Sequence, residues 1–138
     1  MSRIEKDDMY MNITRAIAER SYCIRKKVGC IIVRDNMIIS DGYNGTPTGF
    51  ENICEDEENN TKAYVLHAEA NALTKLAKST QSSIGSTLYV TMSPCYECSK
   101  LIIQTGITKV IFDERYRIAD GLDLLEKSGI EVIQLSKD

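Results

Sequence analysis

Two short stretches hold side chains whose types and spacing can do chemistry together. LHAEANAL, residues 66 to 73, carries the only histidine of the chain, His67, two positions before Glu69. SPCYECSK, residues 93 to 100, places Cys95 and Cys98 in a C-x-x-C pair directly after Pro94. Taken alone, the cysteine pair is compatible with half of a structural zinc site, a thioredoxin-like redox pair, or half of a catalytic zinc site. A four-ligand structural site would have to recruit Cys23, Cys30 or Cys54, because no second histidine exists. The redox reading leaves His67 and Glu69 without a task. The catalytic reading uses all four residues. His67, Cys95 and Cys98 are the metal ligands, one tetrahedral position stays open for water, and Glu69 carries protons beside it.

Charge arithmetic says why a carboxylate is wanted. Zinc lowers the pKa of bound water from about 15.7 to about 9 in solution, and to about 7 in a three-histidine site. Two thiolates cancel the metal's charge, so weaker activation is expected here and a nearby base must take the proton. Such acid and base assistance contributes about 100- to 10,000-fold. Geometry restricts where the four residues can sit. Positions two apart in a helix diverge by about 200°, so His67 and Glu69 can meet only at a helix entry, where side chains tilt towards the N-terminus. Cys95 and Cys98, three apart in an opening turn, share a face. Two helix N-termini are therefore expected to aim at one metal, their positive ends favouring thiolate over thiol.

The elements that must do this positioning are legible from periodicity. Ile4, Met9, Ile13, Ala16 and Ile17 recur at near-helical spacing over residues 4 to 20. VGCIIVR (28 to 34) and MIISDGY (37 to 43) read as strands joined in a hairpin by Asp35 and Asn36. A helical pattern follows over 63 to 77, then a strand over 86 to 92. Pro94 suits a first helical position with Ser93 as its cap, which predicts a helix over 94 to 105 stopped at Gly106. Strand 108 to 113, helix 118 to 127 closing near Gly129, and strand 130 to 135 complete the chain. Alternating strands and helices imply parallel pairing with right-handed crossovers, and the first hairpin adds an antiparallel edge. The expectation is an α/β, three-layer α/β/α sandwich around a mixed five-stranded sheet.

Composition sets the outer bounds. The 138 residues, 43% hydrophobic and 27% charged with two prolines, are expected to form a single domain over 1–138. No apolar run approaches the roughly 18 to 20 residues of a membrane span, and MSRIEKDD does not read as a secretory signal, so the cytoplasm is the expected location and no membrane partner is expected. Five cysteines in such a chain are expected to be reduced and used for metal or catalysis rather than paired in disulfides. EDEENN, residues 55 to 60, reads as an exposed acidic loop. The net charge of −3 supplies no overall basic field, so no nucleic-acid partner is expected.

The spacing H-x-E followed by P-C-x-x-C is the signature of zinc-dependent nucleobase deaminases. HAEANAL, TLYVTM, SPCYECSKLIIQTGI and GYNGTP (42 to 47) together resemble deoxycytidylate deaminases, especially phage and bacterial forms of the zinc-dependent cytidine and deoxycytidylate deaminase superfamily, over nearly the whole chain. The resemblance implies a cytidine deaminase-like fold, one zinc per subunit, and hydrolysis of dCMP to dUMP and ammonia, which supplies thymidylate synthesis. It implies that Asn44 contacts the sugar and that Tyr116, in DERYR, contacts the nucleotide near its phosphate. A dianionic phosphate also needs donors, and Arg25, Lys26, Lys27, Arg115 and Arg117 are candidates, with Ser21 as a hydroxyl donor. The resemblance further implies a homohexamer activated by dCTP with magnesium and inhibited by dTTP, with Gly42, Asn44 and Gly45 near the effector and Lys27 near its phosphates. Some phage relatives hold an auxiliary zinc in a long insertion. Here residues 54 to 64 are short and lack histidine, so no second zinc is expected, and Cys23 and Cys54 read as remnants of that site.

Three other readings compete. A tRNA adenosine deaminase shares the metal motif, but would be expected to show a basic RNA-binding face. Riboflavin-pathway and free-base deaminases are further alternatives within the superfamily. From another class, the chain could be a non-catalytic, zinc-stabilised nucleotide-binding regulator. Glu69 speaks against that, since it is not needed as a ligand yet stands where the mechanism wants it.

Overall fold

The computed structural model describes residues 2–135. Strands β1 (Gly29–Arg34) and β2 (Met37–Tyr43) form the expected hairpin. Asp35 and Asn36 at its turn take φ of 52° and 62°, the pair of left-handed residues whose twist suits a two-residue hairpin. Asp and Asn tolerate that region because their short polar side chains bond locally, so this dipeptide does the work more often given to Asn-Gly. Strands β3 (Thr87–Met92), β4 (Lys109–Glu114) and β5 (Glu131–Gln134) are parallel, and β1 runs antiparallel to both β2 and β3. The sheet order is β2-β1-β3-β4-β5.

Period-two alternation along β1 splits its side chains between two cores. Cys30 and Ile32 join Leu88, Val90, Val110 and Phe112 beneath helices α2 (Ala68–Ala77), α3 (Tyr96–Gln104) and α4 (Asp120–Lys127). Ile31 and Val33 face the other way, joining Tyr89 and Ile111 beneath α1 (Lys6–Ala18). Each such aliphatic, fully buried, contributes about 1.5–3 kcal/mol. The result is the three-layer α/β/α arrangement expected, with α1 alone on one face. Cys30 is a core side chain in this arrangement and not a metal ligand.

The buried face of α1 differs from the periodicity reading. Tyr10, Met11, Thr14 and Ala18 are buried, whereas Ile4 and Met9 are 54% and 37% exposed. Aromatic contact decides the rotation. Tyr10 packs on Tyr89 with ring centroids 5.2 Å apart and donates its hydroxyl to Asn36 O at 3.2 Å, while the Tyr89 hydroxyl donates to Asp7 at 2.6 Å. Two tyrosines that bury their rings and satisfy their hydroxyls outweigh an isoleucine left near the chain's start.

Both helices that carry the chemical motifs start later than their patterns suggest. Residues 63–66 are not helical: Ala63 and Tyr64 form a turn closed by Val65 N to Lys62 O at 3.1 Å, and Leu66 exchanges backbone hydrogen bonds with Gly45 at 3.1 and 2.8 Å. That bridge leaves His67 at the N-cap of α2 with an extended backbone. In α3 the cap is Cys95 instead of Ser93. The Ser93 hydroxyl is engaged elsewhere, accepting from Tyr116 N at 2.6 Å. Helix α4 likewise begins at Asp120, two residues after the expected start.

Cysteine pairing is a second correction. Cys23 and Cys54 form a disulfide, their Cα atoms 5.2 Å apart, within the roughly 4.4–6.8 Å that such a bond allows. Periodicity cannot see a contact between residues 31 apart. Neither is Glu55 part of an exposed loop: it is 7% exposed and pairs with Thr61 in an isolated bridge. Closing a loop of this length removes about 3–4 kcal/mol of denatured-chain entropy. The Cys23→Ser, Cys54→Ser double variant should therefore lose about 3 kcal/mol of unfolding free energy in urea, with a steeper slope because the released denatured chain exposes more surface. A loss below about 1 kcal/mol would show that the cross-link restrains an already compact denatured state.

Candidate active site

The late start of α2 and α3 brings their two entries together. His67 Nδ1 lies 3.5 Å from Cys95 Sγ and 3.3 Å from Cys98 Sγ. Tetrahedral zinc, with bonds of about 2.3 Å to sulfur and about 2.0 Å to nitrogen, separates those ligand atoms by roughly 3.5 Å. The donor set therefore fits zinc in both chemistry and spacing. The Cys98 amide donates to Cys95 Sγ at 3.5 Å, a contact at a helix N-terminus that favours thiolate. Close packing holds the α3 entry in place. Helix α4 approaches it so tightly that a Cβ on Gly121 would lie 2.3 Å from the Pro94 carbonyl oxygen.

Protons distribute through this cluster as its charges require. Hydrogen bonding from Cys98, aided by His67, pulls the Cys95 thiol down to about 3. The same shared proton, together with burial, pushes Cys98 up. A divalent cation replacing that proton would hold both sulfurs as thiolates. The Cys95 sulfur raises His67 against the opposing effect of burial. Burial is the main cause that lifts the Glu69 carboxyl to about 7, with its own amide and His67 pulling it back. Glu69 is 4% exposed and lines, with His67 and Cys95, a cavity of about 270 Å³. A carboxyl poised near neutrality beside three metal donors can both take and return a proton.

The chain matches the cytidine and deoxycytidylate deaminase zinc-binding region over residues 4–114. It belongs to the cytidine and deoxycytidylate deaminase family. It is 38% identical over 126 residues to the deoxycytidylate deaminase of Mycobacterium phage D29, covering 81% of this chain and 97% of that protein. Identity to the deoxycytidylate deaminase of Saccharomyces cerevisiae is 36% over 140 residues, 94% of this chain but only 45% of the yeast protein's length. The crystal structure of dCMP deaminase from the cyanophage S-TIM5 in complex with dCMP and dUMP superposes with a TM-score of 0.94 at 46% identity, over 98% of this chain and 100% of that one.

The remaining expected site residues of this deaminase chain divide into three groups. Arg25, Asn44 and Tyr116 line the cavity, as does Lys26. Asn44 is also a fastener there: its Oδ1 accepts from Val28 N at 2.9 Å and its Nδ2 donates to Lys26 O at 2.8 Å. Ser21 and Arg115 lie outside the cavity lining. The Ser21 hydroxyl is buried and donates to Asn44 O at 2.9 Å, so it braces the loop instead of offering itself to a phosphate. The Arg115 guanidinium sits over the Phe112 ring, 5.8 Å from its centroid.

Gly42 and Gly45 line a second cavity of about 440 Å³, whereas Asn44 and Lys27 do not. Lys27 instead approaches Glu19 at 3.8 Å, and the cations at that cavity are Lys75 and Lys78. Gly42 has a packing reason as well, since a Cβ there would lie 2.6 Å from Ala72 N of α2. Two features escaped the sequence reading. Lys75 in α2 and Lys78 at its C-cap border the second cavity, and nothing in the sequence sets them apart from other lysines. Glu55 lines the main cavity, and its only sequence signal was its place next to Cys54.

His67→Ala should reduce bound zinc from about one per chain to well under half while the sheet persists. Elemental analysis of the purified variant measures this, and undiminished zinc would remove His67 from the ligand set.

Proposed function

We propose that this chain hydrolyses dCMP to dUMP and ammonia. The observation that carries the proposal is the cavity whose lining joins two of the zinc donors, His67 and Cys95, and Glu69 to Arg25 and to Lys26, the latter paired with Glu114. The phage relative solved with dCMP and dUMP supports the choice of substrate. When bound, zinc supplies the Lewis acidity that makes a water nucleophilic near neutral pH.

The chain's own residues do the rest. Glu69, ionised, takes the proton released as oxygen bonds to the amino-bearing ring carbon. It delivers that proton to the ring nitrogen, where it stays in dUMP, and then carries the proton of the newly bound hydroxyl to the amino group, so the carbonyl forms as the carbon–nitrogen bond breaks with ammonia as leaving group. Burial of Glu69 keeps its affinity for the proton high enough to accept it and low enough to return it. Asn44, Tyr116 and Arg25 are the residues to which we assign the sugar and phosphate contacts, with Lys26 beside them.

The dUMP so formed would feed thymidylate synthesis. We assign the second cavity to a regulatory nucleotide, dCTP with magnesium as activator and dTTP as inhibitor, in a homohexamer. Gly42 and Gly45 border it, and of its two lysines Lys78 is better placed for its phosphates than Lys27, Lys75 being paired with Asp41.

The substrate is tested by assaying dCMP, cytidine, cytosine and a tRNA anticodon stem side by side on the zinc-loaded protein. Turnover of dCMP well above the others is expected. Turnover of another member of the panel with none of dCMP would overturn the assignment. Glu69→Gln should keep zinc and fold while lowering kcat by about 100- to 10,000-fold. Near-normal kcat in that variant would place the proton carrier elsewhere.

A further inference from the structure

The cationic wall of the main cavity has no regular structure of its own, so side chains from elsewhere must set its shape. Arg25 and Lys26 lie in the segment between α1 and β1, which contains neither helix nor strand. Cations on an unbraced loop would spread over many positions, and ordering them would weaken binding. Asn44 braces the Lys26 end, as described above. The other brace is Glu55, whose Oε2 accepts from two consecutive amides, Ile24 N at 2.9 Å and Arg25 N at 3.1 Å. Successive amides converging on one point form a concave anion site. Here the chain fills that site with its own carboxylate.

Three observations mark this as more than a surface contact. Glu55 is 7% exposed, stands next to the Cys23–Cys54 disulfide and is pinned by its backbone bridge to Thr61. Its other oxygen, Oε1, is enclosed without a hydrogen-bond partner, a liability for stability that an apolar side chain would not carry. Finally, Glu55 grips the Arg25 backbone and not its guanidinium. Among the described residues that guanidinium makes no ion pair, and its Nη1 is 3.4 Å from Thr61 Oγ1. The arrangement fixes where Arg25 emerges while leaving its charge free for an incoming anion.

We propose that Glu55 is a positioning residue for substrate: by holding the Ile24 and Arg25 amides it aims the Arg25 cation at the 5′-phosphate of a pyrimidine deoxynucleotide, next to Lys26, whose ammonium is paired with Glu114 at 2.6 Å. This rests on the dCMP reading above. The test compares wild type, Glu55→Ala and Glu55→Gln, each zinc-loaded, on dCMP and on deoxycytidine, which lacks the phosphate. Glu55→Ala should raise KM for dCMP by about tenfold or more, the loss of a charge-assisted anchor, with kcat falling less than about threefold. Its kcat/KM on deoxycytidine should change far less than that on dCMP. Glu55→Gln still presents an oxygen to both amides and should stay within about threefold of the wild-type KM. If deoxycytidine turns over too slowly to measure, the KM-against-kcat split and the glutamine rescue decide the matter. Should Glu55→Ala fail to fold, Glu55→Asp, whose shorter arm withdraws the oxygen, carries the same expectation. An unchanged KM, or an equal loss on both substrates, refutes the role of Glu55 while wild type still turns over dCMP. Wild type inert on dCMP removes the substrate reading and this inference with it.

Discussion

A histidine nitrogen and two cysteine sulfurs held about a metal-ligand separation apart at the edge of a cavity, with Cys98 buried and His67 exposed, form a constraint that the rest of the molecule must serve. Bringing sulfurs that share a proton against an imidazole is favourable only if neighbouring groups stabilise the resulting charges. Two helix entries provide that support, with the Cys98 amide pointed at Cys95 Sγ. Each entry is in turn fixed from outside its own helix. The Gly45–Leu66 bridge stops α2 from extending backwards over His67, and Gly121 lets α4 press against the backbone ahead of α3. Sheet topology completes the scheme, since β3 delivers the chain from the core directly to Pro94 and Cys95.

The cavity is built from two halves with different mechanics. Metal donors and Glu69 sit on helix ends anchored in the core cluster beneath α2, α3 and α4, where displacement would open voids in close-packed surroundings. The opposite half is loop, held by discrete fasteners: a disulfide, the two amides on Glu55, and the two bonds of Asn44. Such a division lets the chemistry stay constant while the loop wall sets which molecule is presented to it.

Legibility in the sequence followed the range of the interactions. The strands, the order of helices and the mixed sheet could be read because alternation and helical spacing repeat over many residues. The hairpin turn was readable too, from two residue types that tolerate the left-handed region. Helix starts were not, because Leu66 and Ser93 are drawn away by partners remote in the chain, Gly45 and Tyr116. The same limit hid the rotation of α1, which Tyr89 sets from a distant strand. Among the site residues, Ser21 and Lys27 had the right chemistry to meet a phosphate, but neighbours they could not be seen to have, Asn44 and Glu19, engage them instead.

By itself, then, the chain's order of residues determined the type of chemistry: a lone histidine, a spaced thiol pair and one carboxylate two positions from the imidazole leave few other uses for zinc-binding donors. Folding in three dimensions decided which remaining side chains face the cavity and which act as braces. The physical reason is that ligand identity is a property of single residues and short spacings, whereas the aim of Arg25, the burial of Glu55 and the pairing of Cys23 with Cys54 depend on segments about thirty residues apart that meet only once the sheet is assembled.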